Sequence, residues 1–442
     1  MKTLIYTLMV MILVTGSVVA QNGASLGMAT AYTTFARGTE AIFWNPANLG
    51  FLNEGKPAIT VKMFSFQTII SNNSYGLNEY NDYFTEEDKL LTDGDKNTII
   101  NKVPDDGFEL KGRADFEMFS IAYKNYALSF SGIGFGKANA PKDFVDVFFT
   151  GLSQRSYNFS TSADAEASGS INFAYGRTFW RDQRVIIPYF EYPMDFTEIA
   201  LGATLSYNMG FFAFETQQAD FTSVISDDGF VSSGRFRANA TRFKRVLNDK
   251  GEYETETDDD ADAIQGSGIG LSIGASAKTD KDYVISFVLK NLYNRINWNK
   301  SAFQFDHILD TGDSKFFLGD GQFEDLEEDD FHTDNDHEIS DFQTSRPFGF
   351  RLAVGREYRR YTYASEIGYE DEEFVFALGG GYHYMFLNLY AGYGYKFGNN
   401  INFGLGLGGD HFMFDFGFGT RNGITPGSTK GVLFATSLRF GI

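Results

Sequence analysis

Histidines and glycine-rich runs are the features of this sequence that could carry chemistry, and they form no recognisable site. Cysteine is absent, which excludes disulfides and any zinc or redox site built on thiolates. His332 and His337 lie in an acidic segment with no partner at ligand spacing along the chain. A solvated segment is therefore favoured over a metal site. No His-Glu-x-x-His motif occurs, and neither a catalytic centre nor a cofactor is predicted, so the chain is not expected to be an enzyme.

Two glycine-rich runs, at 266–270 and 404–409, superficially resemble phosphate-binding loops. The nucleotide fingerprint requires a glycine-rich turn that opens a helix. Both runs instead lie within segments that alternate large and small residues, so we expect strands there and no nucleotide binding.

The charge of the chain is strongly acidic and unevenly distributed. The formal net charge is −21, which makes nucleic acid an unlikely partner because binding it requires cations that neutralise phosphates. Residues 306–341 hold fourteen carboxylates with Lys315 as the only Lys or Arg, 249–262 hold eight and 79–109 hold ten. None fits the EF-hand spacing. Solvated loops are favoured, and divalent cations that bridge the loops to one another or to lipopolysaccharide are the alternative.

The last hundred residues alternate between large apolar and small or polar side chains. Phe412, Phe414, Phe416 and Phe418, for example, alternate with Met413, Asp415, Gly417 and Gly419. The same pattern runs through 348–355, 387–397 and 401–408. Successive side chains of a strand point to opposite faces, so each segment has one large apolar face. A soluble sandwich would share this alternation, but segments of about ten residues rich in Phe, Tyr and Leu are typical of transmembrane barrels.

The lengths of the connections favour the barrel over the sandwich. Outer-membrane barrels have short periplasmic turns and long extracellular loops. We predict short turns at 124–127, 181–183, 208–210, 279–282, 357–360, 384–386 and 409–411. Long connections are predicted at 71–112, 138–164, 225–264 and 299–344. The fold class is thus an all-β, transmembrane antiparallel β-barrel of about 14 strands (14–16), spanning 56–442. A parse into sixteen strands is weakest near 184–192, because Pro188 and Pro193 interrupt that stretch.

Both ends of the chain have features of an exported barrel. Lys2, the apolar stretch 4–14 and a small residue before Gln21 describe a signal peptide, residues 1–20, cleaved after Ala20. The chain ends in alternating residues up to Ile442, which resembles the C-terminal strand that the barrel-assembly machinery reads. The predicted location is the outer membrane of a Gram-negative cell, as a monomer in contact with lipid and lipopolysaccharide.

Residues 21–55 lack the alternation of the barrel. They contain Gly27-Met28-Ala29-Thr30-Ala31, then Ala36-Arg37-Gly38, and then Asn45-Pro46-Ala47. This segment resembles the N-terminal hatch of the FadL-type long-chain fatty-acid transporter family of outer-membrane barrels. The resemblance implies that the hatch plugs a fourteen-stranded barrel, through which hydrophobic substrates pass and leave sideways. Relatives of that family include PorV-like shuttle proteins, which handle secreted proteins.

The hatch provides the candidate site residues. We name Arg37, Gly38, Phe43, Trp44, Asn45, Pro46 and Ala47 as hatch or gating residues. Asn45-Pro46 sets a turn, because proline fixes its own φ and restricts the residue before it. Trp44 requires burial and one acceptor for its indole N–H. A purely structural role, in which the turn only shapes the plug, is the alternative to gating.

One helix is predicted outside the hatch, over 140–152. Pro141 suits its first turn, and Phe144, Val145, Phe148, Phe149 and Leu152 fall on one face. It is interpreted as a lid over the barrel mouth or as a landing patch for an apolar ligand. The predicted function is passive uptake of a hydrophobic, fatty-acid-like small molecule, and a PorV-like docking or shuttle role for secreted proteins is the alternative.

Overall fold

The computed structural model describes residues 22–51, 57–85, 89–181, 195–226, 229–248, 251, 253–311, 332–371, 373–396 and 398–442. The predicted signal peptide, the questionable strand near 184–192 and most of the acidic segment 306–341 lie outside these ranges.

Most of the described chain after the hatch is β-strand. The strands are β1 (Ile59–Asn72), β2 (Phe108–Tyr123), β3 (Tyr126–Ala140), β4 (Ser156–Asn158), β5 (Ser162–Arg181), β6 (Phe196–Ser226), β7 (Gly229–Thr241), β8 (Phe243–Leu247), β9 (Tyr253–Thr257), β10 (Gly266–Thr279), β11 (Tyr283–Trp298), β12 (Ala302–Asp310), β13 (His332–Asp334), β14 (His337–Glu338), β15 (Phe342–Ser345), β16 (Gly349–Tyr358), β17 (Tyr361–Glu370), β18 (Glu373–Tyr384), β19 (Leu387–Tyr395), β20 (Asn399–Gly408), β21 (Phe412–Arg421) and β22 (Gly431–Gly441).

Fourteen of these strands close into one antiparallel barrel. The order around the wall is β1, β2, β3, β5, β6, β10, β11, and then β16 through β22 in sequence. β22 pairs with β1, and Ile59 and Ile442 exchange backbone hydrogen bonds of 3.1 and 2.9 Å at the seam. Every wall strand therefore has two neighbours, which leaves no open edge. The predicted fold class is confirmed, at the lower end of the predicted strand count.

The barrel has fourteen strands, and the parse into sixteen contains a predicted turn that is wrong. Asn208–Gly210 lies inside β6, a single strand of 31 residues. Both flanks of this segment are paired, since Asn208 lies opposite Ser170 of β5 and Gly268 of β10. The Asn208 side chain also bonds to the Ser170 hydroxyl at 2.8 Å and donates to Asn294 at 3.0 Å. Pairing on both sides thus overrides the local turn tendency of Asn and Gly. The predicted turn at 181–183 lies mostly outside the described residues.

The other predicted short turns are confirmed, and they gather at one end of the barrel. They join β2 to β3, β10 to β11, β16 to β17, β18 to β19 and β20 to β21. The long connections gather at the opposite end. By the rule for outer-membrane barrels, the short turns mark the periplasmic end and the long connections the extracellular end.

The alternation of faces is also confirmed. On β16, Leu352 and Val354 are 43% and 42% exposed and point outward, whereas Arg351 and Ala353 are 1% and 2% exposed and point inward. The exposed outward positions of all the neighbouring strands are mainly Phe, Tyr, Leu and Ile. A belt of exposed apolar side chains around a closed sheet faces lipid, so this is a transmembrane barrel.

The extracellular end carries a second layer of sheet. The outer part of β6 leaves the wall and pairs with β7 and β4. β7 pairs with β12, and β12 in turn pairs with β13 and β14. A separate hairpin, β8–β9, lies beside it.

Helices occur in the hatch and in the extracellular connections. α1 (Gly23–Gly27) belongs to the hatch, α2 (Leu77–Phe84) and α3 (Asp93–Lys102) to the first connection, and α4 (Lys142–Thr150) to the second. Helix α4 was predicted over 140–152 with Pro141 in its first turn, and in the structure Pro141 is its N-cap. The prediction of a single helix outside the hatch is wrong, because α2 and α3 were missed. Among the described residues, no helix is long and apolar enough to cross a membrane.

Candidate functional site: the hatch and the cavity above it

The described part of the hatch, residues 22–51, lies inside the barrel. It folds into α1 and two 3-10 helices, Gly38–Ile42 and Pro46–Gly50. The Asn22 side chain caps α1 by accepting from the Ser25 amide at 2.6 Å. Most hatch residues are buried. A small cluster of Ala36 and Trp44, with Tyr32 and Phe43 packed against it, lies within the hatch. The other clusters that contain hatch residues are completed by the inner face of the wall.

Glycines on the inner wall let the hatch backbone approach closely. A Cβ placed on Gly404 of β20 would collide with the Gly23 carbonyl, and one on Gly27 would lie 2.6 Å from the Gly404 amide nitrogen. On the opposite wall, a Cβ on Gly202 of β6 would collide with the Pro46 backbone. Any side chain at these points would push hatch and wall apart. The space that these inward glycines leave is therefore filled by the hatch.

Glu40 ties two hatch segments to the wall. Its carboxylate accepts from the Tyr32 hydroxyl at 2.7 Å and from the Asn22 amide, and Arg439 of β22 lies 3.3 Å away. Burial acts to raise the pKa of Glu40, but Arg439, Lys62 and the two hydrogen bonds outweigh it and lower the pKa below its ordinary value. The side chain is accordingly an anion at neutral pH.

Arg351 of β16 makes the second tie. Its guanidinium forms a bidentate pair with Glu370 at 2.6 Å for both bonds and also contacts Glu366. The same guanidinium donates to the Thr30 carbonyl of the hatch at 3.2 Å. Glu366 in turn accepts from the Thr33 amide at 3.2 Å. Buried charges of this kind persist only when they are paired and hydrogen-bonded, so the hatch backbone is part of the charge network.

The predicted Asn45-Pro46-Ala47 turn packs against the wall and is hydrogen-bonded to it. The Asn45 side chain accepts from the Ala47 amide at 3.0 Å and donates to the Ala275 carbonyl and the Ser276 hydroxyl of β10, at 3.1 and 3.0 Å. Pro46 occupies the first turn of the 3-10 helix. Ala47 is fully buried against β6 and β11.

Trp44 lies deeper in the lumen, under two cations. It is 1% exposed, and its ring lies 5.3 Å from the Lys290 ammonium and 5.1 Å from the Arg351 guanidinium carbon. Within the described residues, its indole N–H has no acceptor, so the expected hydrogen bond is absent there. Cation–π contacts hold the ring in its place. Phe43 packs partly with Trp44 and partly with Ala122 and Ala127 near the periplasmic end.

Arg37 and Gly38 lie at the start of the first 3-10 helix. Arg37 donates to the Thr34 and Ala36 carbonyls, both at 2.9 Å, and lies 5.3 Å over the Phe51 ring. Gly38 has φ +56, and a Cβ there would collide with the Thr60 side chain. The seven predicted residues are thus distributed through the hatch and form no single cluster.

A cavity of about 330 Å³ lies between the hatch and the extracellular end. Its hatch-side lining is Ala29 and Thr30, and none of the seven predicted residues lines it. The volume falls at the lower end of the range for small-molecule sites. Apolar side chains from several strands contribute to its wall, namely Ile69, Phe135, Val375 and Leu433.

The cavity lining is basic, in contrast to the acidic chain as a whole. Eight basic residues line it, which are Lys111, Arg113, Lys137, Lys290, Arg346, Arg351, Lys396 and Arg421. The acidic residues in the lining are Glu370 and Asp371. Other partners of these bases do not line the cavity, among them Glu109 and Asp115. The arrangement can accommodate a small molecule with an apolar body and an anionic group.

Sequence reasoning missed the floor of this cavity. Ala29 and Thr30 have φ of +52 and +74, which is uncommon for non-glycine residues and strained for a β-branched one. The bend brings Met28 and Ala29 against Gly379 of β18 and against Gly392 and Gly394 of β19. A small-residue stretch was recognised in the sequence, but nothing local indicates that it turns at Ala29.

The described residues around this site offer no catalytic arrangement. The pattern Gly-x-Ser-x-Gly does occur at 270–274, but it lies within β10, where the Ser272 hydroxyl accepts from the Asn291 amide at 3.1 Å. A serine nucleophile of that motif requires a strand-to-helix turn. The glycine runs at 266–270 and 404–409 lie in or at the end of β10 and β20, as predicted.

The fold defines the class of this protein. A closed antiparallel barrel with an even number of strands, short turns at one end and long connections at the other is the architecture of an outer-membrane protein. The chain belongs to the family described as DUF5723, a family of unknown function, whose model matches residues 50–426. That match begins at the end of the hatch and stops before β22.

Solved structures that are similar to the chain include FadL-type barrels. The toluene transporter TodX of P. putida is 11% identical, with a TM-score of 0.47, covering 96% of this chain and 98% of that one. A FadL homologue of Pseudomonas aeruginosa is also 11% identical, with a TM-score of 0.47 and coverage of 95% and 98%. No curated protein matches the sequence. At this level the likeness does not bear on function, and the barrel is established by its own strand pairing.

Proposed function

We propose that this protein takes up a small hydrophobic acid, fatty-acid-like in its chemistry, across the outer membrane without an energy source. The observation that carries the proposal is the cavity above the hatch. It combines apolar side chains, such as Phe135 and Leu433, with a predominantly basic lining. A carboxylate is bound best by Arg and Lys, and an alkyl or aryl body by buried apolar surface.

The proposed path begins at the extracellular end and is blocked at the hatch. A ligand in the cavity would contact Ala29 and Thr30 directly. Because Arg351 also donates to the Thr30 carbonyl, an anionic group that competes for this guanidinium would weaken one tie between hatch and wall. Ligand binding and release of the hatch would then be coupled through a single side chain.

The export and assembly steps complete the proposal. The mature protein would begin at Gln21 after removal of residues 1–20. The barrel-assembly machinery would recognise the strand that ends at Ile442, and the barrel would function as a monomer surrounded by lipid and lipopolysaccharide.

The proposal is tested by uptake into cells whose own fatty-acid transporter is deleted. Labelled long-chain fatty acid should enter faster with this protein than with an empty vector. A Lys111→Gln, Lys137→Gln double variant should reduce uptake of the acid more than uptake of the matched fatty alcohol. These side chains are 30% and 45% exposed at the cavity and share Glu109 as a partner. Lys300→Gln is the control, because Lys300 pairs with Asp262 outside the cavity.

One observation favours a docking role as the second candidate. Helix α4 leaves Phe144 and Phe148 50% and 75% exposed, and an exposed aromatic patch of this kind is typical of interaction surfaces. If cells expressing the protein take up no more acid than cells with the empty vector, transport is excluded. A Phe144→Ser, Phe148→Ser variant that releases secreted proteins from the cell surface would then support docking.

A further inference from the structure

The extracellular sheet brings together histidines and carboxylates that are far apart in the chain. His307 lies on β12, directly opposite Asp334 of β13. Asp336 follows β13 by two residues and folds back toward β12. One nitrogen of His307 and one oxygen from each of Asp334 and Asp336 all lie within 4.8 Å of one another.

One pair in this cluster already has the separation of two ligands of one ion. His307 Nε2 lies 3.3 Å from Asp336 Oδ1. Zinc binds nitrogen and carboxylate oxygen at about 2.0–2.2 Å, so that two tetrahedral ligands are ~3.3 Å apart. Asp334 is exposed, so a side-chain rotation can move its carboxylate inward as a third ligand.

The groups behind the cluster orient it. His332 Nε2 lies 3.0 Å from His307 Nδ1. When His307 Nδ1 carries the proton and donates to His332, the Nε2 lone pair faces Asp336. Asp336 is 2% exposed. Its carboxylate is fixed by the Asp306 amide at 2.9 Å and by the Thr255 hydroxyl at 2.8 Å. Such outer partners typically set the tautomer and direction of metal ligands.

No basic side chain of β7 balances the negative charge of Asp334 and Asp336. Arg235 and Arg237 of β7 are the nearest basic residues on the neighbouring strand, but both pair with Asp306. Side chains alternate along β12, so Asp306 and His307 point to opposite faces. On the His307 face, β7 contributes Phe236, with ring centroids 6.4 Å apart. Two carboxylates therefore lie beside an imidazole without a cation from β7.

We propose that His307, Asp334 and Asp336 bind a divalent transition-metal ion, with Zn²⁺ as the representative ion and His332 as the positioning residue. The donor set of one imidazole nitrogen and two carboxylate oxygens favours a first-row transition ion over Ca²⁺ or Mg²⁺, which prefer oxygen ligands throughout. The ion binds the lone pair of His307 Nε2. It joins β12 to the segment after β13.

The test is Zn²⁺ binding to the full-length protein in detergent, measured by equilibrium dialysis with metal analysis. The expected result is about one Zn²⁺ per chain, retained in excess Ca²⁺. His307→Gln should weaken binding at least tenfold, and His332→Gln by about tenfold, since removal of an outer partner typically costs 10–100-fold in affinity. His337→Gln is the matched control, because His337 lies in the same segment but bonds only to the Asn335 carbonyl among the hydrogen bonds described.

Folding is checked separately by the mobility shift between unheated and boiled protein on a gel. Asp334→Asn provides a second variant at an exposed position, where loss of the fold is not expected. Equal Zn²⁺ binding by the His307→Gln, Asp334→Asn and parent proteins would overturn the proposal. Loss of Zn²⁺ to Ca²⁺ competition would also overturn it, because it would assign the ion to scattered carboxylates.

Discussion

Arg351 on the barrel wall donates a hydrogen bond of 3.2 Å to the carbonyl of Thr30, a hatch residue 321 positions earlier in the chain. The same guanidinium holds Glu366 and Glu370, and it lies over the Trp44 ring at 5.1 Å. One side chain therefore connects the wall, the floor of the cavity and the centre of the hatch.

Removing this connection should destabilise the barrel and loosen the hatch. In Arg351→Ala, Glu366 loses its guanidinium partner, and Glu370 retains Lys290 at 2.8 Å and Lys396 at 3.6 Å. Breaking one side of a buried pair costs about 3–5 kcal/mol. We expect a lower temperature for the gel mobility shift than in the parent protein. Lys281→Ala, at an exposed turn position, is the control and should leave this temperature unchanged.

Close packing of the hatch on β20 predicts a steric effect at one glycine. Gly404→Ala places a methyl group into the Gly23 carbonyl, so the hatch must shift away from the wall. The measurement is single-channel conductance in planar bilayers, which should rise in this variant. Gly409→Ala is the matched control on the same segment, since a Cβ there meets nothing within 4 Å. If both variants conduct like the parent, the hatch does not seal the lumen.

Glu40 should make the hatch sensitive to acid. Its pKa is lowered from an ordinary value of 4.5, so its contribution to stability is present above that pH. The contribution is lost as the pH falls below 4.5 through the lower value of the folded protein. Proteolysis of the hatch should therefore be slow at pH 7 and faster near pH 3. Glu40→Gln should raise the rate at pH 7 and flatten the difference, and a pH dependence that survives the substitution would assign it to another group.

Trp44 should tolerate loss of its N–H but not of its ring. Trp44→Phe removes a buried donor that has no acceptor among the described residues, so little cost is expected. Trp44→Ala removes a fully buried ring and should cost about 3–5 kcal/mol. Thermal unfolding in detergent distinguishes the two. A loss in Trp44→Phe as large as that in Trp44→Ala would contradict this prediction.

The faces of the wall strands could be predicted from sequence because one closed sheet imposes a strict period of two. Arg351 between Phe350 and Leu352 illustrates this, because its inward position follows from its neighbours alone. The turn at Asn208–Gly210 was wrong, since a local turn signal says nothing about partners on both flanks. Helix α3 had a usable signal in the capping box of Thr92 and Asp95, but the charged segment was interpreted as solvated loop.

The parts of the candidate site that were missed are those assembled across the barrel. The basic residues of the cavity come from several different strands, so they are scattered along the sequence. His307 and His332 are 25 residues apart, and they meet only because β12 pairs with β13. The bend at Ala29 and Thr30 requires the wall glycines to hold it. The spacing of residues along the sequence does not predict contacts of this kind.

The proposal that a hydrophobic acid binds in the lumen is tested most directly by photo-crosslinking. A long-chain fatty acid with a diazirine on its tail is irradiated with the purified barrel, and the labelled residues are located by mass spectrometry. The account predicts labels on cavity residues, among them Thr30, Phe135 and Leu433, that disappear in excess unlabelled fatty acid but not in excess fatty alcohol. Labels confined to the outward apolar belt, or cavity labels that the alcohol removes equally well, would contradict it.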